Sequence, residues 1–300
     1  MARRRRAGIE VKTGSQLAAM REAGLVVARA LAACAAAVAP GVTTADLDAI
    51  AAAEIKGAGA RPSFLGYHGF PATICVSVNE EVVHGIPAAG RRIREGDVVS
   101  IDCGAIVAGW HADAALTTGA GAISDKAAAL ITACERALWQ GLAQARPGAR
   151  LSDVSHAVEA AARSAGWYGI VEDYVGHGIG SEMHMDPPVP NIGRPRRGPA
   201  LTAGMALAVE PLLVLGDPAT RLLGDGWTVL TEDGGWSAHF EHTVAVTEAG
   251  PWVLTAEDGG TAGFAALAGA AAALPVSAGP PEACPGGGVW GGRPPEAALR

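Results

Sequence analysis

Cysteine is scarce in this 300-residue chain, and the five present (Cys34, Cys75, Cys103, Cys134, Cys284) are odd in number and form no CxxC pair. That excludes a disulfide framework and a thiolate zinc site, and it suits reduced thiols in a cytoplasmic setting. Long apolar runs are also missing. The alanine-rich stretches Leu31 to Ala39 and Ala265 to Leu274 fall short of the roughly 20 residues that cross a bilayer, so no membrane partner is expected. The N-terminus has charge but no apolar segment behind it, and no secretory signal is expected. Net positive charge is absent: 23 Lys and Arg face 30 Asp and Glu, for a formal charge of -7. That balance argues against nucleic acid or anionic membrane as the main partner. The local exception is the run Arg3, Arg4, Arg5 and Arg6. It reads as a solvated terminus or, more sharply, as an electrostatic contact with ribosomal RNA.

What is present suffices for a sizeable core: 49% hydrophobic and 18% charged residues, which excludes disorder of the whole chain. Leu17, Met20, Gly24, Val27, Leu31 and Cys34 recur at helical spacing and predict one apolar face. Pro40-Gly41 ends that helix, and a second is expected from Thr43 or Thr44 to Gly57. From Pro71 to Thr117 the texture turns to short β-branched runs. Helices are expected again over Asp125 to Ala145 and Ser152 to Ala165. Strand texture returns over Gly169 to Val175, Met205 to Leu215, Trp227 to Thr231 and Phe240 to Thr247. Helices, strands, helices, strands read as an α+β fold of two αβ halves sharing one core. The expected division is a basic tail over 1–8, one folded domain over 9–260, and an Ala/Gly/Pro-rich tail over 261–300, disordered apart from a short helix at Ala265 to Leu274.

The informative oddity is acid inside otherwise apolar strands. Asp102 ends Val98-Val99-Ser100-Ile101, Asp113 lies in His111-Ala112-Asp113-Ala114, Glu210 follows Ala206 to Val209, and Glu241 interrupts Phe240 to Val246. Burying an ionised carboxylate costs several kcal/mol, so each needs a cation, dense hydrogen bonding or a proton. Taken singly, each also fits a strand-end residue reaching solvent. Four together favour a common cause, and convergence would be severe: one pair at about 4 Å repels by about 4 kcal/mol at an effective dielectric of 20. Two divalent cations would convert that repulsion into binding. An oxygen-rich set with little imidazole suits Mn, Fe(II), Co or Zn. The imidazole candidate is His177, in Gly176-His177-Gly178-Ile179-Gly180, whose glycines permit close backbone approach. A nucleotide loop is the weaker reading of that segment, because Pro187-Pro188 stop a helix from following.

Together these segments resemble the type I methionine aminopeptidases of the pita-bread metallopeptidase family, over roughly Ile9 to Thr255. The resemblance runs through Gly66-Tyr67-His68-Gly69-Phe70-Pro71, Cys75 to Glu80, Val83-His84-Gly85-Ile86-Pro87, and Asp102 with Asp113 eleven residues on. It continues through Gly176 to Gly180, His184, Val209-Glu210-Pro211 and Phe240-Glu241-His242-Thr243. It implies a curved antiparallel sheet flanked by two pseudo-symmetric halves. It implies five metal ligands, Asp102, Asp113, His177, Glu210 and Glu241, around two divalent ions, with Asp113 and Glu241 shared. Glu210 would also shuttle a proton, and His84 and His184 would hydrogen-bond the substrate. Tyr67, His68, Phe70, Cys75, Met183 and Trp227 would line a methionine pocket. The implied reaction is removal of the initiator methionine before a small second residue, by metal-activated water, in a cytoplasmic monomer. Three departures stand out: Gly104 where many relatives carry threonine, Ala112 for a usual glycine, and Met183 for a common aromatic.

Two other readings remain. Prolidase-like enzymes share the metal constellation but carry a large N-terminal domain, and about a hundred residues precede Asp102 here. A non-catalytic binding protein on the same scaffold would tend to lose ligands, and all five stand in this sequence.

Overall fold

The structure is a computed structural model that describes residues 8–272; Arg3 to Arg6 and the chain beyond 272 lie outside the described residues. The expected helices form. Helix α1 (Gly14–Ala37) starts with a capping box in which Thr13 accepts from the Gln16 backbone and the Gln16 side chain accepts from Thr13 N at 2.7 Å. These bonds satisfy orphan donors of the first turn. Its buried face carries Leu17, Met20, Val27, Leu31 and Cys34, as the spacing predicts. Helix α2 (Thr44–Gly57) is boxed by Thr43 and Asp46, α3 spans Asp125–Leu142 behind Ser124, and α4 spans Leu151–Ala165. The short helix expected at Ala265 to Leu274 starts earlier, as α5 (Thr261–Ala272), and packs on α3, with the Phe264 and Trp139 rings 5.4 Å apart. The folded unit therefore runs past the boundary drawn at 260.

The α+β expectation holds. Every pairing in the nine-stranded main sheet is antiparallel. Its strands run in the order Arg61–Pro62, Val98–Val107, Trp110–Gly119, Glu241–Thr247, Ala206–Val209, Gly176–Gly178, Met185–Val189. Cys75–Val78 pairs with Val98–Val107, and Gly250–Val253 with Glu241–Thr247. Two three-stranded sheets complete the fold, one built from Ser237–His239, Leu212–Val214 and Gly169–Ile170. The expected strand over Met205 to Leu215 is two strands, because Pro211 has no N–H to continue a ladder.

Period-two alternation decides where the acids point. Val99, Ile101, Cys103 and Ala105 pack with Val27, Leu31, Leu47 and Ile55 of α1 and α2, as do Ala114 and Leu116 on the next strand. Val244 and Val246 pack with α3 and α4 in the second large cluster. Asp102, Asp113 and Glu241 sit at the intervening positions, on the sheet face turned away from the helices.

Candidate metal centre and substrate cavity

Register brings the remote acids together. Ala115 is the Cα partner of both Asp102 and Glu241, so these two flank it in one row across three neighbouring strands. His242 pairs with Val209, which sets Glu210 beside Glu241 at the end of that row. A second row lies two residues along. Gly104 pairs with Asp113, the Asp113 backbone bonds both ways to the Thr243 hydroxyl, Thr243 pairs with Ala208, and Ala208 pairs with His177. Residues i and i+2 share a strand face, so the two rows present all five candidates to one space. One ligand-type atom each from Asp113, His177 and Glu241 lies within 4.8 Å of the others. His177 Nε2 is 3.6 Å from Glu210 Oε1.

The glycines around His177 have a steric reason. A Cβ on Gly176 would strike the Ala208 carbonyl, and one on Gly178 would strike the Asp186 carbonyl. The strand is wedged between two backbones, which leaves the imidazole as its one reaching group. His177 Nδ1 lies 3.0 Å from Gly178 O, and the ring therefore donates from Nδ1 and presents the Nε2 lone pair to the acids. Burial pushes this imidazole down to about 3. It is neutral, as a ligand must be.

The electrostatics are those of a site that asks for cations. Burial raises Asp102 to about 7, and burial with the Asp102 charge raises Glu210 to about 8. Asp113 and Glu241 rise well above the carboxylate range, again first through burial, then Asp113 through the Asp102 and Glu210 charges and Glu241 through those of Asp113, Glu210 and Asp102. Asp102 Oδ1, Asp113 Oδ1 and Glu241 Oε1 are buried with no hydrogen-bond partner among the described residues. Buried carboxylate oxygens left unpaired are expensive. Divalent ions satisfy them with the hard oxygen donors and single imidazole that such ions accept. The residues fit the group.

The centre opens into a cavity of about 110 Å³. All five ligand candidates line it, with Tyr67, Phe70, Cys75, His84, Met183, His184 and Trp227 from the expected substrate set. His68 does not. It is exposed, in a left-handed conformation (φ 47°), with its ring 4.4 Å from that of Tyr67. Phe70 meets Trp227 edge-on at 5.1 Å, and Tyr67 Oη is 2.8 Å from His184 Nδ1. His84, 5.7 Å from Tyr174, is pushed down to about 4 by burial and by His184.

Two residues escaped the sequence reading. Phe64 is a wall of the cavity, 6.5 Å from Phe70. His239 is buried, with Nε2 4.0 Å from Glu210 Oε2 and 3.9 Å from Glu241 Oε2. Its signal was available: it stands two residues before Glu241 and so shares its face. For Phe64 no pattern distinguishes a cavity wall from ordinary core.

Comparison with known proteins now adds to this geometry. Residues 18–248 match the model of metallopeptidase family M24. Methionine aminopeptidase 1 of Mycobacterium tuberculosis is 53% identical over 249 residues, 81% of this chain and 94% of that protein. The chain belongs to metallopeptidase family M24, within its methionine aminopeptidases. The crystal structure of methionine aminopeptidase from Thermotoga maritima superposes on this M24 chain with a TM-score of 0.82 at 41% identity, covering 83% of this chain and 100% of that one. Prolidase from Pyrococcus furiosus, 22% identical with a TM-score of 0.65, covers 82% of this chain and 65% of its own length, and shares the fold. The family's use of divalent metal agrees with the cluster of Asp113, His177 and Glu241. Among the described residues, no helix of this M24 chain is long and apolar enough to cross a membrane.

The Gly104 departure has a structural reason. A Cβ there would stand 2.8 Å from Ser63 Cβ and 3.0 Å from Phe64 Cε1. The space a threonine would fill is taken by Ser63 and by the Phe64 ring. Met183 is buried in the small apolar cluster of Phe64, Phe70, Ala72 and Cys75, with Tyr67 and Trp227 packed against it.

Proposed function

We propose that this chain removes the N-terminal methionine from nascent proteins and peptides with a small second residue, using divalent metal ions held by Asp102, Asp113, His177, Glu210 and Glu241. The observation that carries the reading is the meeting of these five remote side chains in one cavity, with three buried carboxylate oxygens that nothing among the described residues satisfies. Two ions, drawn from Co, Mn, Fe(II) or Zn, match four carboxylates in charge. When bound, such ions lower the pKa of a water and polarise the scissile carbonyl.

The chain's own groups do the rest. Glu210 takes at its carboxylate the proton that the attacking water gives up and returns it to the leaving amine. Tyr67 Oη holds His184 at Nδ1, which frees Nε2 for the substrate backbone. His84, kept neutral by burial, serves as a second hydrogen-bond partner there. Phe64, Phe70, Met183, Cys75 and Trp227 enclose the methionine thioether, which gains dispersion and S–aromatic contact in such a wall.

The deciding experiment supplies Mn, Fe(II) or Co to the purified chain with a Met-Ala-Ser peptide and measures free methionine. Release is expected, with no cleavage of an Ala-Pro dipeptide. Absence of turnover with every metal would favour a non-catalytic binding protein, and Ala-Pro cleavage a prolidase-like one. We extend the reading to a cytoplasmic monomer that meets the ribosome through Arg3 to Arg6. That contact rests on their charge alone, and unchanged low-salt co-sedimentation with ribosomes after their deletion would dispose of it.

A further inference from the structure

His239 is a buried imidazole that the chemistry above leaves unused. It ends the strand Ser237–His239 and is 2% exposed, and its Nε2 has no hydrogen-bond partner among the described residues. Buried polar atoms are nearly always paired, so an orphan beside a functional centre calls for an explanation. Two groups lie near it: Glu210 Oε2 at 4.0 Å and Glu241 Oε2 at 3.9 Å. The backbone that carries the ring is pinned. His239 N donates to the Thr117 hydroxyl at 2.8 Å, that hydroxyl donates back to His239 O at 2.7 Å, and Ser100 Oγ lies 2.8 Å from it. Leu212, two residues after Glu210, is the Cα partner of His239. The imidazole thus stands on a fixed base between the ends of two proposed ligands that come from different strands.

We infer that His239 is a positioning residue for the metal centre, whose Nε2–H donates to Glu210 and Glu241 and holds both carboxylates in their ligating orientation. The inference rests on reading those two glutamates as ligands. A ring bearing Nε2–H donates whether neutral or charged, and the other tautomer would set a lone pair against two carboxylate oxygens. A movement of about 1 Å brings either oxygen within N–H···O length. Groups that hydrogen-bond metal ligands orient them and tune affinity, and their loss typically costs about 10–100-fold in metal binding.

The test uses the full-length chain, stripped with chelator and titrated with Co²⁺ by calorimetry and by its visible d–d absorption. Variants are His239→Leu, which removes the donor at similar volume, and His239→Gln, which keeps one; His239→Ala replaces leucine if that variant fails to fold by circular dichroism. We expect the donor-less variant to bind Co²⁺ about 10–100-fold more weakly and His239→Gln to stay within about threefold of the native chain with an unchanged spectrum. Equal affinity in the native and donor-less chains overturns the inference alone. A glutamine variant as weak as the donor-less one also overturns it, since that result makes the imidazole a ligand in its own right. A native chain that takes up no Co²⁺ overturns the metal-centre reading, and the inference falls with it.

Discussion

Among single residues, the five proposed ligands and Gly104 make opposite demands. Asp113 and Glu241 are buried acids whose charges a cation among them would offset, so removing one proposed ligand leaves that offset incomplete. His177→Ala and Glu241→Ala are each expected to lower kcat/KM by more than about a thousandfold, the scale of losing an essential group at a reacting centre. The fold should persist, and circular dichroism with a steady-state assay checks both halves; activity retained in either variant rules the site out. Gly104 is constrained from the other side. Gly104→Thr must push aside Ser63 and Phe64, which stand within 3.0 Å of its Cβ, and such overpacking typically costs about 1–3 kcal/mol. Because Phe64 walls the cavity, a raised KM for a methionyl peptide is expected along with a lowered Tm. The acids were legible in the sequence because a carboxylate inside an apolar strand is costly enough to need a reason. His239 and Phe64 were not read, since neither burying a neutral imidazole nor adding a phenylalanine to a core breaks any local rule. His68, expected in the pocket, is exposed and does not line the cavity, and a resemblance carries a residue's position without its exposure.

At the level of elements, the helices were the most legible part, because threonine caps and three-four spacing act within a few residues of each other. Strand limits were less so. Gly169 to Val175 reads as one strand, yet only Gly169–Ile170 pairs, since pairing depends on what a distant strand offers. A short helix is legible at Ala265 to Leu274, but its start at Thr261 and its docking on α3 are not, because alanine and glycine give no polar face to contrast with an apolar one. Its seat is nonetheless specific: a Cβ on Gly263 would press into the Trp139 ring, which stands edge-on to both Phe264 and His242. Gly263→Ala is therefore expected to lift α5 from α3. Tryptophan emission should shift to the red as Trp139 gains solvent, with a loss of about 1–3 kcal/mol in unfolding free energy. An unchanged spectrum and melt would mean that α5 docks without this contact.

For the molecule as a whole, acid stability follows from which groups fold into a state they do not share with the unfolded chain. His84 titrates at about 4 when folded, through burial and the nearby His184, against about 6.5 in an unfolded chain. The unfolded state therefore binds the extra proton first, and stability is complete above about pH 6.5 and is lost as pH falls toward 4. His84 alone contributes at most about 1.4 kcal/mol per pH unit across that window, and His111 and His242, each pushed down to about 4 first by burial, add to the fall in the same direction. Asp46, Asp153 and Asp258 are lowered by hydrogen bonds from backbone amides and, for Asp46, first by the Thr43 hydroxyl; their share is lost in the same direction but only below the ordinary aspartate range. The two contributions thus separate along the pH axis. His84→Asn isolates the share of His84, because asparagine tolerates the positive φ of 59° at this position and carries no titrating group. Thermal melts at fixed metal concentration should show Tm falling less steeply between pH 6.5 and 4.5 in the variant than in the native chain, with the slopes converging below pH 4. Parallel slopes through the upper window would mean that His84 contributes nothing to the fall and that His111 and His242 carry it.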